Sequence, residues 1–334
     1  MKAEHLSNAF KVLLALTLFA CGSNPQFEVP QTSGMQWFKG NTHSHTTNSD
    51  GDSPPEVVAQ WYKAHGYAFL VLSDHNFFTA PERLSSLVDS TFLLIAGEEV
   101  TVSFEGKPIH VNGLNIPRLV NPVIGSSLVG TIQQNVDAVR AVNGVPHINH
   151  PNFKWAFSHR ELLQINHNKL LEIYNGHPFV NNLGGGGWPS TEQIWDHLLT
   201  AGKRIYGIAV DDAHHFQGEF SPSRSNPGRG WVVVRAKSLQ AREIVENLEN
   251  GLFYASTGVE LENLIIEPRS LEIQIRQRGD FKYRTEFIGS GGKVLSQSDS
   301  TRAVYRLSCE SKYVRAKVYE SGGAVAWVQP VWVR

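Results

Sequence analysis

The stretch YAFLVLSDH, residues 67–75, joins an apolar run to the polar triplet Ser-Asp-His. Its six apolar residues, 67–72, predict a strand that is buried on both faces. Residues 53–66, directly before it, predict a helix that ends at Gly66. A helix followed by a fully buried strand is typical of the β-α units that build parallel sheets and barrels. The sequence therefore predicts an α/β fold.

The predicted helix has a start signal and an inner face. Ser53 and Glu56 have the Ser-x-x-Glu spacing of a capping box. Pairs spaced i, i+4 form its predicted inner face: Val57/Trp61 and Val58/Tyr62. The same alternation continues to residue 258, with predicted strands at 92–96, 145–148, 170–174, 204–210 and 231–234, and predicted helices ending at Gly144 and Gly202 and spanning 238–250.

The pattern changes after residue 258. Apolar and polar residues alternate without helix signals, for example at 271–275, 304–307 and 314–319. This alternation predicts a small C-terminal antiparallel β-sandwich. The predicted division is a signal peptide with a lipobox at 1–21, a tether at 22–36, a barrel at 37–258 and the β-sandwich at 259–334.

The N-terminal segment predicts export. Residues 12–20 form an apolar run behind Lys2 and Lys11, too short for the ~20 residues that span a bilayer. Leu18-Phe19-Ala20-Cys21 resembles a lipobox with Cys21 as the lipidated residue; the alternative is an ordinary cleaved signal peptide. We expect a bacterial periplasmic or cell-surface protein that contacts a membrane only through its N-terminal lipid.

Composition excludes some classes and favours a metal protein. The chain of 334 residues has 30 Lys+Arg against 31 Asp+Glu and no block of like charge, which argues against a nucleic-acid scaffold. Its two cysteines cannot form a disulfide framework. The 14 histidines are numerous for this length, and several stand beside carboxylates.

These polar residues fall at predicted strand ends. His43-x-His45 places two imidazoles on one face of a strand, because side chains alternate. Strand ends converge on one rim of a β/α barrel, so residues distant in sequence become neighbours. The groups that follow apolar strands are Asp74-His75, Glu98-Glu99, His150-Pro151 and Asp212-x-His214. Histidines with carboxylates suit Zn, Mn or Fe better than Ca or Mg.

The ordered set resembles the polymerase-and-histidinol-phosphatase (PHP) family of metal-dependent hydrolases over residues 37–258: His43-x-His45-x4-Asp50, Asp74-His75, Gly97-x-Glu99, His110, His150-Pro151 and Asp212-x-His214. A closer similarity is to its exported, carbaryl-hydrolase-like (CehA/McbA-like) branch, in the stretches 37–45, 170–177, 209–215, 228–236 and 313–327. The resemblance implies a distorted (β/α)7 barrel that holds up to three divalent metal ions.

The resemblance also implies nine ligands: His43, His45, Glu99 and Asp212 for a first ion; Glu99, His110 and His150 for a second; Asp50, His75 and His214 for a third. Glu99 would bridge two ions. A metal-bound hydroxide would attack the substrate without a protein nucleophile. The implied catalytic residues are Glu99, Asp212 and His214, with Asp212 or His214 as proton acceptor.

Several ligands have neighbours that compete for the role. Glu98 and Glu99 point to opposite faces of an extended segment, and the Gly-x-Glu pattern favours Glu99. The His-Pro pair favours His150 over His147, which is expected to be a hydrogen-bonded strand histidine. Spacing likewise favours Asp212 over Asp211. Asp74 is expected to orient a ligand histidine, and Asp50 alone would be typical of a turn.

Substrate contacts are predicted from position. Glu172, Asn175 and His177 end one strand and should face the rim, and Arg229 could clamp an oxyanion. The predicted reaction is hydrolysis of a small-molecule phosphoester. The alternative is hydrolysis of a carbamate or carboxylic ester at the same metal site, in a neutral pocket lined by aromatic residues. A third possibility is a cell-surface binding protein without catalysis.

Overall fold

A computed structural model describes residues 25–308 and 311–334 of the chain. Five helices and three sheets form a mixed α/β structure, which confirms the predicted class. The predicted signal peptide and Cys21 lie outside the described residues. Within the described residues, no helix is long and apolar enough to cross a membrane.

The first ten strands and all five helices belong to the part of the chain that precedes residue 258. The strands are β1 (Gln36–Asn41), β2 (Phe69–Val71), β3 (Leu93–Ile95), β4 (Gly97–Phe104), β5 (Lys107–Leu114), β6 (Val145–Ile148), β7 (Leu170–Asn175), β8 (Tyr206–Val210), β9 (Trp231–Ala236) and β10 (Phe253–Ser256). The helices are α1 (Pro55–Ala64), α2 (Leu128–Ala141), α3 (His159–Leu162), α4 (Thr191–Thr200) and α5 (Ala241–Glu249). Two 3₁₀ segments occur at Pro81–Leu87 and Ser290–Gly292.

Seven further strands complete the described chain: β11 (Leu261–Glu267), β12 (Ser270–Ile275), β13 (Tyr283–Gly289), β14 (Lys293–Ser298), β15 (Arg302–Arg306), β16 (Tyr313–Glu320) and β17 (Val325–Trp332). The largest sheet has nine strands in the order β14-β13-β16-β17-β10-β9-β1-β2-β3. A five-stranded sheet runs β4-β5-β6-β7-β8, and a three-stranded sheet runs β11-β12-β15.

The strands of the described residues do not close into the barrel that the sequence predicted. The nine-stranded and five-stranded sheets are separate ladders, and isolated bridges at Ser44–Ala213 and His75–Glu99 connect the segments that follow β1 and β2 to the two edges of the five-stranded sheet. Two features interrupt a regular β-α series. Strands β4 and β5 form an antiparallel hairpin, and β9 pairs antiparallel with both β1 and β10.

The C-terminal strands are not a sandwich separate from the rest. Strand β17 pairs with β10, so β13, β14, β16 and β17 extend the largest sheet. The three-stranded sheet packs over this extension through a shared apolar core that includes Leu271, Ile273, Phe287, Val318 and Val328. Two layers are therefore present, but one of them continues the sheet that contains β1. The predicted boundary at residue 258 stays a prediction.

The structure confirms some of the helix features predicted from the sequence and contradicts others. Ser190 and Gln193 form the capping box of α4, as their spacing indicates. The box predicted at Ser53 does not form, because α1 begins at Pro55 and Pro54 takes the N-cap position. Val58 and Tyr62 are buried as predicted, whereas Val57 is exposed. Helix α3, which has its own capping box, was not predicted because it is only four residues long.

A buried ion pair fastens the C-terminal strands to α4. The Arg315 guanidinium donates Nε–H and Nη2–H to the two Asp196 carboxylate oxygens, each at 2.7 Å. A third nitrogen, Nη1, lies 3.0 Å from Glu192 Oε1, and the guanidinium lies over the Trp195 ring. Since Arg315 is almost fully buried, removing it would leave the Asp196 carboxylate without its counter-charge, whereas Glu192 would keep its pair with Lys317.

We predict that Arg315→Met lowers the free energy of unfolding by about 3–5 kcal/mol, the usual cost of breaking a buried pair on one side. Denaturant unfolding followed by circular dichroism measures this change. The matched control is Arg302→Met, which breaks a bidentate pair with Glu272 whose arginine is 69% exposed and should change stability little. Equal losses in both variants would contradict the role given to Arg315.

Candidate metal centre

The polar residues after β1, β2, β6 and β8 gather where the two large sheets meet. The His45 N–H donates to the Ala213 carbonyl at 2.9 Å, and the Asp212 N–H donates to the His43 carbonyl at 3.1 Å. These two backbone bonds hold the segments after β1 and β8 side by side. The bridge between His75 and Glu99 brings the segment after β2 to the hairpin in the same way.

All nine predicted ligands lie in four groups whose ligand atoms are within 4.8 Å of one another. The groups share members: His45, Asp50, His75 and His214; His43, His45 and Asp212; His43, Glu99 and His150; His75, Glu99 and His110. Six imidazoles and three carboxylates therefore form one continuous cluster. The structure brings the residues together, and their role as ligands stays a prediction.

The centre of the cluster is crowded with potential ligand atoms. His43 Nε2 lies 3.1 Å from His45 Nε2, and Asp212 Oδ1 lies 3.2 Å from both nitrogens. Glu99 Oε2 lies 3.4 Å from His43 Nε2 and 3.3 Å from His45 Nε2. Glu99 Oε2 also lies 2.8 Å from His75 Nδ1, although it accepts no directed hydrogen bond from the described residues. The convergence of so many nitrogen and oxygen atoms fits a cation better than a hydrogen-bond network, and the donor set suits Zn, Mn or Fe.

The hairpin explains why eleven residues separate Glu99 from His110. Glu99 pairs with Asn112 across β4 and β5, so His110, two residues away on β5, is its diagonal neighbour on the same face. The Glu99 Oε1 atom accepts hydrogen bonds from His110 Nδ1 at 2.9 Å and from Asn149 Nδ2 at 2.7 Å. The sequence placed Glu99 after a strand, but it lies within β4.

Charge pairing dominates the electrostatics of the cluster. Burial opposes ionisation of Glu99, but the adjacent His75, His43 and His110 hold its pKa well below the ordinary value. The same holds for Asp212: burial opposes its ionisation, but His43 and the other adjacent imidazoles hold its pKa well below the ordinary value. Burial also opposes the charged form of His43, but Asp212 and Glu99 raise its pKa well above normal. Without a metal, protonated imidazoles thus neutralise these carboxylates.

Asp50 lies at the open side of the cluster. Its carboxylate is half exposed, with Oδ1 3.3 Å from His214 Nε2 and Oδ2 3.6 Å from His75 Nε2. Asp50 does lie in a turn, as its sequence context suggested, but its side chain is directed at the histidines. Burial would raise the pKa of Asp50, yet His214 and His75 lower it far below the ordinary value.

The backbone at Asp212 is in the left-handed region, with φ 49°. Non-glycine residues seldom adopt this conformation, and at functional sites it is retained when surrounding contacts over-determine it. Here the contact is the hydrogen bond from Asp212 N–H to His43. The His214 Nδ1 atom lies 2.9 Å from the Asp212 carbonyl, so Nδ1 carries a proton and Nε2 is directed at Asp50.

Two competing neighbours face away from the cluster. Glu98 Oε1 accepts the Val120 N–H at 2.8 Å, and burial raises the pKa of Glu98 to about 7 against that bond. Asp211 accepts hydrogen bonds from the Tyr62 hydroxyl and the Gly230 N–H. Neither carboxylate belongs to any of the four groups.

The expectation for His147 was wrong, whereas Asp74 reaches a candidate ligand through a serine. His147 is buried, but neither of its ring nitrogens has a hydrogen-bond partner among the described residues. Asp74 accepts from Ser49 Oγ, which lies 3.3 Å from His45 Nδ1. Its carboxylate accepts from Thr46 N–H and Oγ1 and from Ser49 Oγ, so it fixes the loop that follows His45.

The three predicted substrate contacts differ in position. His177 lines the cavity beside the cluster; its Nδ1 accepts the Phe179 N–H at 3.2 Å, which leaves the proton on Nε2. Asn175 Nδ2 donates to Glu172 and Asp212, so it supports the cluster. Arg229 does not line this cavity, because its guanidinium donates to the carbonyls of Gly176 and Ser221.

Sequence reasoning overlooked two supporting residues. Asn149 holds Glu99 and also donates to Asn112 Oδ1, and nothing in its sequence context indicated this. Glu172 was considered only as a rim residue, but it is buried and accepts a hydrogen bond from His43 Nδ1 at 2.7 Å. A signal did exist for Glu172: a carboxylate inside a buried strand must be paired.

We predict that Glu99→Gln lowers the affinity for Mn²⁺ or Zn²⁺ by at least about tenfold. Mutation of a residue that only supports a metal ligand already lowers metal affinity by about that factor. Calorimetric titration of the metal-free protein measures it. Glu98→Gln is the matched control, since the amide oxygen can keep the Val120 bond, and its affinity should match the wild type. The reverse ranking would show that the wrong neighbour was chosen.

No family model matches the chain. An 82-residue segment, 24% of the chain, is 35% identical to a 5'-3' exoribonuclease of Haemophilus influenzae. The match spans 30% of the length of that relative.

Structural similarity extends over most of the chain. A two-domain protein from Bacteroides vulgatus that contains a predicted PHP-like metal-dependent phosphoesterase superposes with a TM-score of 0.53 at 17% identity, covering 88% of this chain and 93% of that one. An amidohydrolase from Chromobacterium violaceum gives a TM-score of 0.40 at 14% identity, covering 56% of this chain and 93% of the other. The chain therefore has a PHP-like fold, as the sequence predicted.

Proposed function

We propose that the protein is a metal-dependent phosphoesterase with three divalent ions, of the carbaryl-hydrolase-like PHP branch. One observation carries the proposal: all nine candidate ligands lie in four overlapping groups, and Glu99 belongs to two of them. A carboxylate has two oxygens and can bind two ions, so Glu99 could hold neighbouring ions close together. Closely spaced ions act jointly on one substrate group, as in phosphatases and nucleases.

The charge of such a site favours an anion. Three divalent ions would face the three carboxylates of the cluster and the Glu172 carboxylate behind His43, which leaves a net charge of about +2. A phosphoryl group would be attracted to this charge without help from arginine. The position of Arg229 outside the cavity is therefore compatible with a phosphoester substrate.

Bound ions would supply activation of water and stabilisation of negative charge on the phosphoryl oxygens. The protein would supply positioning and proton transfer. His214 has its proton on Nδ1, so its Nε2 can bind a cation or accept a proton. His177 has its proton on Nε2, so it can donate a hydrogen bond to a substrate oxygen. Glu99 belongs to two of the groups, so it would help to hold two of the ions.

One observation favours the alternative, hydrolysis of a carbamate or carboxylic ester. Among the described residues, neither lysine nor arginine lines the cavity, whereas Phe153 does. Phe153 packs edge-on to His150, and the exposed Phe179 lies beside His177. An uncharged substrate with an apolar substituent would find contacts here. The metal set is the same for both reactions, so substrate chemistry separates them.

We predict that the protein, purified as residues 22–334 and loaded with Mn²⁺ or Zn²⁺, hydrolyses nitrophenyl phosphate mono- or diesters faster than nitrophenyl carboxylic esters or carbamates. Release of nitrophenolate measures all four substrates with the same leaving group. Turnover of only the ester or carbamate would support the alternative. If the metal-loaded protein hydrolyses none of the four substrates, a binding protein without catalysis would be favoured.

We also propose that the protein is exported and anchored through Cys21. The support is the apolar segment 12–20 and the lipobox-like residues before Cys21. We predict that Cys21→Ser moves the protein from the membrane fraction to the soluble fraction, measured by immunoblotting after expression with its leader. Persistent membrane association of the variant would contradict lipid anchoring at this residue.

A further inference from the structure

We propose that Glu172 is the positioning residue of the metal centre: its carboxylate fixes the His43 tautomer and connects the segments that carry three ligands. This inference rests on the proposed metal-dependent function. Glu172 lies on β7 and is almost fully buried. Its Oε1 is 2.7 Å from His43 Nδ1, and its Oε2 accepts from the His150 N–H at 2.8 Å and from Asn175 Nδ2 at 2.9 Å.

Glu172 is not itself placed to bind a metal or the substrate. It belongs to none of the four ligand groups and does not line the cavity. Its carboxylate contacts His43 through Nδ1, whereas His43 Nε2 faces His45, Glu99 and Asp212. Glu172 therefore acts on the cluster through His43, from the side away from the cavity.

The partners of Glu172 require a carboxylate. The backbone N–H of His150 and the amide nitrogen of Asn175 can only donate. If His43 binds a cation through Nε2, its proton is on Nδ1, so this third partner also donates. An acceptor with two oxygens satisfies all three. The arrangement thus selects the His43 tautomer whose Nε2 lone pair is directed into the cluster.

The same carboxylate ties together separate parts of the centre. Asn175 donates to Glu172 and also to Asp212 Oδ2 at 3.0 Å. Glu172 therefore connects His43 after β1, His150 after β6 and Asp212 after β8. His147 Nε2 lies 3.6 Å from Glu172 Oε1 but forms no directed hydrogen bond with the described residues. The three donors, not His147, define the position of the carboxylate.

Glu172→Gln tests the proposal because it keeps shape and removes one acceptor. The amide NH₂ must face either His43 Nδ1 or the other two donors. Facing His43, it reverses the tautomer and places a proton on the nitrogen that should bind metal; facing the others, it loses two hydrogen bonds. Support for metal ligands of this kind is worth about 10–100-fold in affinity, so we expect a loss of that size in Mn²⁺ or Zn²⁺ binding.

Three readouts distinguish positioning from a general structural effect. The purified protein and its variants are titrated with Zn²⁺ by calorimetry, the rise in Tm on adding Zn²⁺ is recorded, and kcat and KM are measured at low and saturating metal. We expect Glu172→Gln to show weaker binding, a smaller Tm rise and a lower kcat that excess metal partly restores. KM should stay unchanged, because Glu172 does not contact the substrate.

Two further variants complete the test. Glu172→Asp keeps an acceptor-only group and should bind metal more tightly than Glu172→Gln, while Glu98→Gln controls for the loss of a buried carboxylate on β4 and should bind as the wild type does. If circular dichroism shows that Glu172→Gln is unfolded, Asn175→Ala tests the proposal in its place. We expect this variant to bind metal about tenfold more weakly, because it loses the hydrogen bond to Asp212.

Wild-type affinity in Glu172→Gln would overturn the proposal. Equal or weaker binding by Glu172→Asp would also overturn it, because shape rather than acceptor chemistry would then matter. If Asn175→Ala is used because Glu172→Gln is unfolded, an unchanged metal affinity in Asn175→Ala would overturn the proposal as well. A wild-type protein that binds no metal would instead refute the proposed function, so the two failures are distinguishable.

Discussion

Packing three carboxylates, two of them buried, and six imidazoles into one cluster is the constraint on which the rest of the structure depends. Buried charges must be compensated, because the desolvation of an unpaired ion costs far more than a folded protein can tolerate. Without a metal, the compensation comes from protons: His43 has a raised pKa, and Glu99 and Asp212 have lowered ones. Divalent ions could replace those protons and relieve the contact between His43 and His45. The proposed function follows from this exchange.

The sheets serve to assemble the cluster from distant segments. Two isolated backbone bridges, at Ser44–Ala213 and His75–Glu99, connect the segments after β1 and β2 to the five-stranded sheet, at or beside the candidate ligands. These backbone links between the two sheets therefore coincide with the site. The left-handed backbone of Asp212 is part of the same connection, because its N–H completes the link to His43. A layer of supporting residues, Glu172 and Asn149, then fixes ligand orientation from behind.

Much of the site was predictable because the order and spacing of its histidines and carboxylates resemble the motifs of the PHP family, and all nine candidates lie in one cluster. The fold was predictable only in class. The antiparallel β4–β5 hairpin and the pairing of β17 with β10 are long-range choices that local periodicity does not encode. Arg229 was misplaced for a related reason: its partners are backbone carbonyls of Gly176 and Ser221, which leave no trace in a residue pattern. Glu172 was assigned to the rim because strand alternation alone does not tell a solvent-facing carboxylate from one buried against a histidine.

The central claim is that the cluster holds several metal ions at once, and anomalous diffraction from crystals grown with Mn²⁺ or Zn²⁺ tests it most directly. Data collected on both sides of the metal absorption edge locate each ion independently of the protein phases. The account predicts three anomalous peaks, all surrounded by the nine residues of the four groups. A single peak, or peaks outside the cluster, would contradict it.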